Sequence, residues 1–148
     1  MKVLKFGGTS VANNISINKV IEIVSKQSDK SVVVVSALGG VTDLLDLIMN
    51  KALKNDKSFS LELDIIKKRH IELIKKSIKI VNQSKTISFL KNELNKLEVT
   101  LDGILVLNEL TSKTISKILS FGEVLSSKII YEIFKENNLD VQLIDSRK

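Results

Sequence analysis

A lysine, two glycines and two hydroxyl residues stand almost side by side in Lys5-Phe6-Gly7-Gly8-Thr9-Ser10-Val11, a combination suited to holding phosphate. Gly7 and Gly8 let the backbone turn tightly where Cβ atoms would obstruct it. A turn of that kind presents successive N–H groups as donors to an anion, and a helix starting close behind adds its N-terminal dipole. Thr9 and Ser10 supply hydroxyls, and Lys5 supplies an ammonium at the threshold. The order differs from a Walker loop, whose lysine follows its glycines, and from the GxGxxG of a dinucleotide fold. A Gly-Gly pair after a strand is also compatible with a plain turn. Lys5 favours phosphate, because a lysine in an otherwise apolar strand is costly to bury without a partner.

A second loop, Ser36-Ala37-Leu38-Gly39-Gly40-Val41-Thr42, repeats the pairing of glycines with hydroxyls. Ser36, the Gly39 and Gly40 amides and Thr42 are able to hydrogen-bond a second polar substrate. Asp43 reads as a first-turn helix acid favoured by the dipole or as a ligand. Glu123 follows Gly122 and reads as a charge at a helix start or, facing a crevice, as the partner of a substrate ammonium. His70 lies between Ile66 and Leu73 or Ile74 at helical spacing, the position of a core or boundary imidazole or of a base.

The elements that must position these groups follow from periodicity. Val3, Leu4 and Phe6 read as a first strand, and Val32 to Val35, four β-branched residues in a row, as a second. Such runs fit a parallel sheet covered on both faces, in which ligands bind at the carboxyl ends of the strands. A helix is expected from about Ile15 to Gln27, and another after Thr42, which is placed to cap it. From about 60 to 109 the pattern is wholly helical. One helix runs from Leu61 to Val81, and a second carries Ile87, Leu90, Leu94, Leu97, Leu101 and Ile104, the two pairing antiparallel. Gly103 is placed to bend or end the second. Ser112 is expected to cap a short helix through Leu119, and a separate helix runs from Glu123 to about Asn137. Val141, Leu143 and Ile144 read as a third strand.

Composition narrows the functional classes. The 148 residues match one domain, 43% of them hydrophobic. The absence of Cys removes thiolate chemistry, and a single His removes an imidazole-rich metal centre, so no protein metal site is expected. A metal would come with substrate phosphates or oxygen ligands. The charge of +6 is spread over helical segments beside acids, with short clusters at Lys67-Lys68-Arg69 and Lys75-Lys76 that read as solvated faces. No nucleic-acid module accompanies them. Neither a long apolar run nor a leader pattern is present, so the expectation is a cytoplasmic protein with no membrane partner.

Three ordered segments resemble the amino acid kinase family, and within it the aspartate kinases, above all the kinase portion of bifunctional aspartate kinase–homoserine dehydrogenases. KFGGTSV at Lys5 to Val11 is similar to that group's opening signature. VVSALGGVTDLL from Val34 to Leu45 resembles its second loop, and FGEVLSS from Phe121 to Ser127 the segment with the substrate-binding Glu; IDSRK resembles the region where the kinase domain continues. The resemblance implies an α/β fold with a carbamate kinase-like parallel sheet, here its N-terminal half over residues 1–148, with a helical hairpin insertion at about 60–109. It implies that Lys5 contacts the transferring phosphate and acts catalytically, with Gly7, Gly8, Thr9 and Ser10 beside the nucleotide phosphates. Ser36, Thr42 and Glu123 would bind the amino acid. The implied reaction moves the γ-phosphoryl group of ATP, as its Mg2+ complex, to the side-chain carboxylate of L-aspartate, opening lysine, threonine and methionine biosynthesis. NADP enters only where a homoserine dehydrogenase portion follows. The glycine-rich LGRGGSD-like loop and the regulatory ACT-type segments of such enzymes have no counterpart here. The expectation is therefore a fragment of a longer enzyme or one piece of a split one, a homo-oligomer in its complete form or a partner of a complementing C-terminal half, without robust activity alone. An inert remnant, an assembly partner or another amino acid kinase are the rival readings.

Overall fold

A computed structural model describes residues 1–147. Two parallel strands, β1 (Lys2–Phe6) and β2 (Ser31–Val35), pair in register from Lys2 with Ser31 to Phe6 with Val35. Between them runs α1 (Asn14–Ser25), the crossover that a parallel pair requires. It is capped by Asn13, whose side chain accepts from the Ser16 N–H at 2.9 Å. After β2 come α2 (Val41–Leu53), α3 (Ser60–Ser77), α4 (Ile80–Leu107) and α5 (Ser112–Glu136). Short 3-10 turns at Gly8–Val11 and Lys57–Phe59 lead into α1 and α3.

The core is aliphatic and largely helical. Leu45, Ile48 and Met49 of α2 meet Ile66 and Ile74 of α3, Leu90, Leu97 and Leu101 of α4, and Leu125 and Ile129 of α5, all within one buried cluster. α3 and α4 pack antiparallel, so that Leu63 and Lys67 line the same groove as Leu94 and Lys91. A half-buried Lys51–Glu62 ion pair of 2.6 Å ties α2 to α3.

The α/β class with parallel strands agrees with expectation, and several details do not. The break between helices lies at Ile78 and Lys79 rather than at Val81, because Ile78 turns to extended backbone at φ −122°. α4 continues through Gly103 to Leu107 and stops at Asn108, whose φ of 51° is the left-handed conformation that asparagine tolerates. Thr111, not Ser112, caps α5. Thr42 does not cap α2: that position belongs to Gly40, at a left-handed φ of 79°, and Thr42 lies inside the helix.

Two differences bear on function. The two helices expected on either side of Phe121-Gly122 are one helix, α5, so Glu123 sits in its middle rather than at its start. Gly122 is there for proximity: a Cβ on it would lie 2.7 Å from that of Ala37. The third strand expected at Val141, Leu143 and Ile144 is absent. Among the described residues that segment pairs with neither strand, and Leu143 and Ile144 are 39% and 76% exposed. Cover is also uneven across the sheet. Leu4, Phe6, Val33 and Val35 face the core, whereas Val3, Val32 and Val34 on the opposite face are 65%, 40% and 42% exposed.

Candidate functional site

Parallel pairing brings both glycine loops to one end of the sheet, and the loops are joined there by backbone. The Ser36 N–H donates to the Phe6 carbonyl at 3.0 Å, continuing the ladder one step beyond the strands. Each loop closes on itself, through Ser10 N–H to Gly7 C=O and Val41 N–H to Leu38 C=O, both 2.9 Å. They then touch glycine to glycine. A Cβ on Gly8 would lie 3.2 Å from the Ala37 carbonyl oxygen and 3.3 Å from Gly39 Cα, and one on Gly39 would lie 3.1 Å from the Gly8 oxygen. Side chains at either position would push the loops apart. Gly7 differs, since nothing lies within 4 Å of where its Cβ would project, and its φ of −74° is open to any residue.

Lys5 lies on the open face of the sheet beside Val3 and Val34, and its side chain is exposed. Among the described residues Lys5 is therefore solvated near the strand end, not buried without a partner as its apolar neighbours in sequence suggest. Thr9 and Thr42 are exposed and Ser10 and Ser36 half-buried, all four on the two loops or the first turn of α2. Asp43 is also exposed, as a first-turn acid of α2.

α5 crosses the end of β2 and adds two groups. Ser126, fully buried, donates its hydroxyl to the Ser36 carbonyl at 2.7 Å. One turn earlier, Glu123 is exposed and its Oε1 accepts from the Ala37 N–H at 3.4 Å, a long contact that leaves the carboxylate capacity for another donor. Gly122 between Phe121 and Glu123 allows this approach of helix to loop. The structure thus joins the Gly7–Ser10 turn and the Ser36–Thr42 loop at one end of the sheet, with Lys5 near the end of β1 and Glu123 on Ala37.

His70 does not join them. It is fully buried on α3, and its Nδ1 lies 2.7 Å from the Ile66 carbonyl, which makes that nitrogen the protonated donor. Among the described residues Nε2 has no partner, and burial pushes the imidazole pKa down to about 4. It is the core imidazole of the two readings. The described residues hold no group of three or more His, Asp or Glu able to bind a metal, and no described helix is long and apolar enough to cross a membrane.

Two residues at the site escaped the sequence reading. Ser126 carries no local signal, because its partner is 90 positions away. Arg69, grouped with Lys67 and Lys68 as solvated charge, instead turns inward, and its Nη2 donates to the Gly39 carbonyl at 2.7 Å. A signal existed: all but two of the 23 basic residues are lysines, Arg69 and Arg147 being the exceptions. Arg147 likewise uses its guanidinium fork, on Asp145 at 2.7 and 2.9 Å.

The sequence profile of the Amino acid kinase family matches residues 1–148. A bifunctional aspartokinase/homoserine dehydrogenase from Buchnera aphidicola is 31% identical over 154 residues, spanning 100% of this chain and 19% of that protein. The lysine-sensitive aspartokinase 3 of Escherichia coli is 31% identical over 151 residues, spanning 99% of this chain and 31% of that protein. Among solved structures, E. coli aspartokinase III in complex with aspartate and ADP superposes with a TM-score of 0.88 at 25% identity, over 100% of this chain and 32% of that one. The chain thus spans less than a third of the length of each of these relatives.

Proposed function

The chain belongs to the amino acid kinase family, and from that membership we propose that its paired glycine loops form part of an aspartate kinase site, which moves the γ-phosphoryl group of ATP to the side-chain carboxylate of L-aspartate. The observation that carries this reading is the contact of the two loops at the carboxyl ends of β1 and β2, with Glu123 leaning over the second. The E. coli relative that superposes on the chain was solved with aspartate and ADP.

In this reading the Gly7–Ser10 turn takes the nucleotide phosphates. The open space beside Gly7 leaves its backbone approachable, and Lys5 neutralises charge on the transferring group. Mg2+ arrives with the nucleotide, where it offsets phosphate charge. The Ser36 and Thr42 hydroxyls bind the amino acid, and Glu123 accepts hydrogen bonds from its ammonium. The aspartate side-chain oxygen forms the new bond to the γ-phosphorus as the bond to the β-bridging oxygen breaks, yielding 4-phospho-L-aspartate and ADP. The acceptor is already an anion, so no strong base is needed, and positioning with charge neutralisation supplies the catalysis. A buried His70 outside the cluster is consistent with that. We place this chemistry in the cytoplasm, in amino-acid biosynthesis, and assign residues 60–109 as a helical insertion in one amino acid kinase domain. We propose further that the chain acts as a portion of a longer or split enzyme and is a weak catalyst alone.

The test is binding by the 148-residue chain, followed by NMR. MgADP and L-aspartate should each bind. Lys5→Ala should weaken the Mg2+ complex of a non-hydrolysable ATP analogue, which keeps the γ-phosphate, about tenfold or more, as expected for loss of a charge-assisted contact, and leave L-aspartate nearly unchanged. Glu123→Gln should do the reverse. Absence of binding by either ligand, or equal loss of both in both variants, would overturn the assignment.

A further inference from the structure

Arg69 reaches the second loop from an element that contributes nothing else to the candidate site. Its base is fixed, because Ile66, His70, Leu73 and Ile74 bury the adjoining faces of α3 and the Lys51–Glu62 pair holds α3 to α2. From there its half-buried guanidinium donates to the Gly39 carbonyl at 2.7 Å, and Nη1 stands 3.7 Å from where a Gly40 Cβ would project. Gly40 is the left-handed residue on which α2 begins. A loop that turns through such a residue has little intrinsic preference for one shape, since glycine is the freest residue in the chain. Gly39 in turn rests on Gly8 without intervening side chains.

We propose that Arg69 is a positioning residue: it clamps the Gly39–Gly40 loop from α3 and, through the Gly8–Gly39 contact, sets the nucleotide loop at the same time. The ligand-binding part of this proposal rests on the function inferred above. The clamp makes the spacing between the acceptor carboxylate and the transferring phosphate depend on a helix outside both loops.

Glycine-selective 15N labelling gives an experiment on the whole chain, with Gly7, Gly8, Gly39, Gly40, Gly103 and Gly122 as reporters. Without ligand, Arg69→Gln should displace Gly39, Gly40 and Gly8 and leave Gly103, which is remote on α4, in place. L-Aspartate should bind more weakly, by up to about tenfold, since the lost charged hydrogen bond caps the cost of re-forming the loop on binding, with a smaller loss for MgADP. Arg69→Lys, which keeps one donor and the charge, should recover most of the glycine positions and of the aspartate affinity, a rescue that general destabilisation does not produce. Unmoved Gly8, Gly39 and Gly40 in Arg69→Gln would overturn the proposal, as would full aspartate affinity in that variant. A wild-type chain that binds neither ligand would refute the functional reading separately, while the ligand-free glycine shifts would still decide the clamp.

Discussion

The α3–α4 pair and the two glycine loops are held together in opposite ways. Between α3 and α4 the contact is made by side chains: Ile66, Leu73 and Ile74 meet Leu90, Leu97 and Leu101 at helical spacing, and their burial excludes water. At the loops every contact has backbone on at least one side. Gly8 lies on Gly39, Ser36 N–H on Phe6 C=O, Ser126 on Ser36 C=O and Arg69 on Gly39 C=O. Side-chain packing of the first kind tolerates swaps of similar volume. Backbone packing of the second kind leaves little room for an added carbon at Gly8 or Gly39. The helical pair is thus held by different chemistry from the two loops, and Arg69 is one link between them.

The largest expected effect probes the helical side through its buried imidazole. Folded His70 titrates near 4, whereas an imidazole in the unfolded chain titrates near 6.5. As pH falls the unfolded chain takes the proton first. The stability due to neutral His70 is therefore full above about pH 6.5 and lost progressively down to about pH 4, by roughly 3 kcal/mol in all. Urea unfolding of His70→Leu between pH 7 and pH 4 should show a correspondingly flatter slope than wild type; parallel slopes would contradict the account.

Next in size is Gly122→Ala. Its new Cβ would collide with Ala37 at 2.7 Å, and overpacking of about 1–3 kcal/mol should exceed the gain of about 1 kcal/mol from helix propensity. Thermal unfolding should show net destabilisation, and the Gly39 and Gly40 resonances should move with it. Ser126→Ala comes third, costing about 1–2 kcal/mol because it strips a buried helix-to-loop hydrogen bond; an unchanged urea midpoint would remove Ser126 from the account. Gly103→Ala is the smallest and carries the opposite sign. Nothing lies within 4 Å of its Cβ position on α4, so alanine should stabilise by about 0.5–1 kcal/mol. Two helix glycines that respond with the same sign would erase the distinction between the regions.

The same division decides what was legible in the sequence. Val32 to Val35 announced β2, and Leu90, Leu94, Leu97, Leu101 and Ile104 announced α4, because burial writes itself into local period. The two loops were legible too, from glycines and hydroxyls next to strand ends. Contacts between distant segments were not. Gly122 read as a helix break because a glycine needed for closeness to Ala37 looks the same in sequence as one that ends a helix. Arg69 read as solvated charge because Gly39 lies 30 positions away. Val141, Leu143 and Ile144 read as a strand from their apolar character, but a strand needs a neighbour for its N–H and C=O groups, and no composition supplies one.

The central claim is that the two loops act as one site, and cross-perturbation of glycine resonances tests it most directly. In the 15N-glycine-labelled chain, L-aspartate alone should shift Gly39 and Gly40 and also Gly8. MgADP alone should shift Gly7 and Gly8 and also Gly39, and Gly103 should stay still under both. Ligand responses confined to one loop at a time, or shared equally by Gly103, would contradict it.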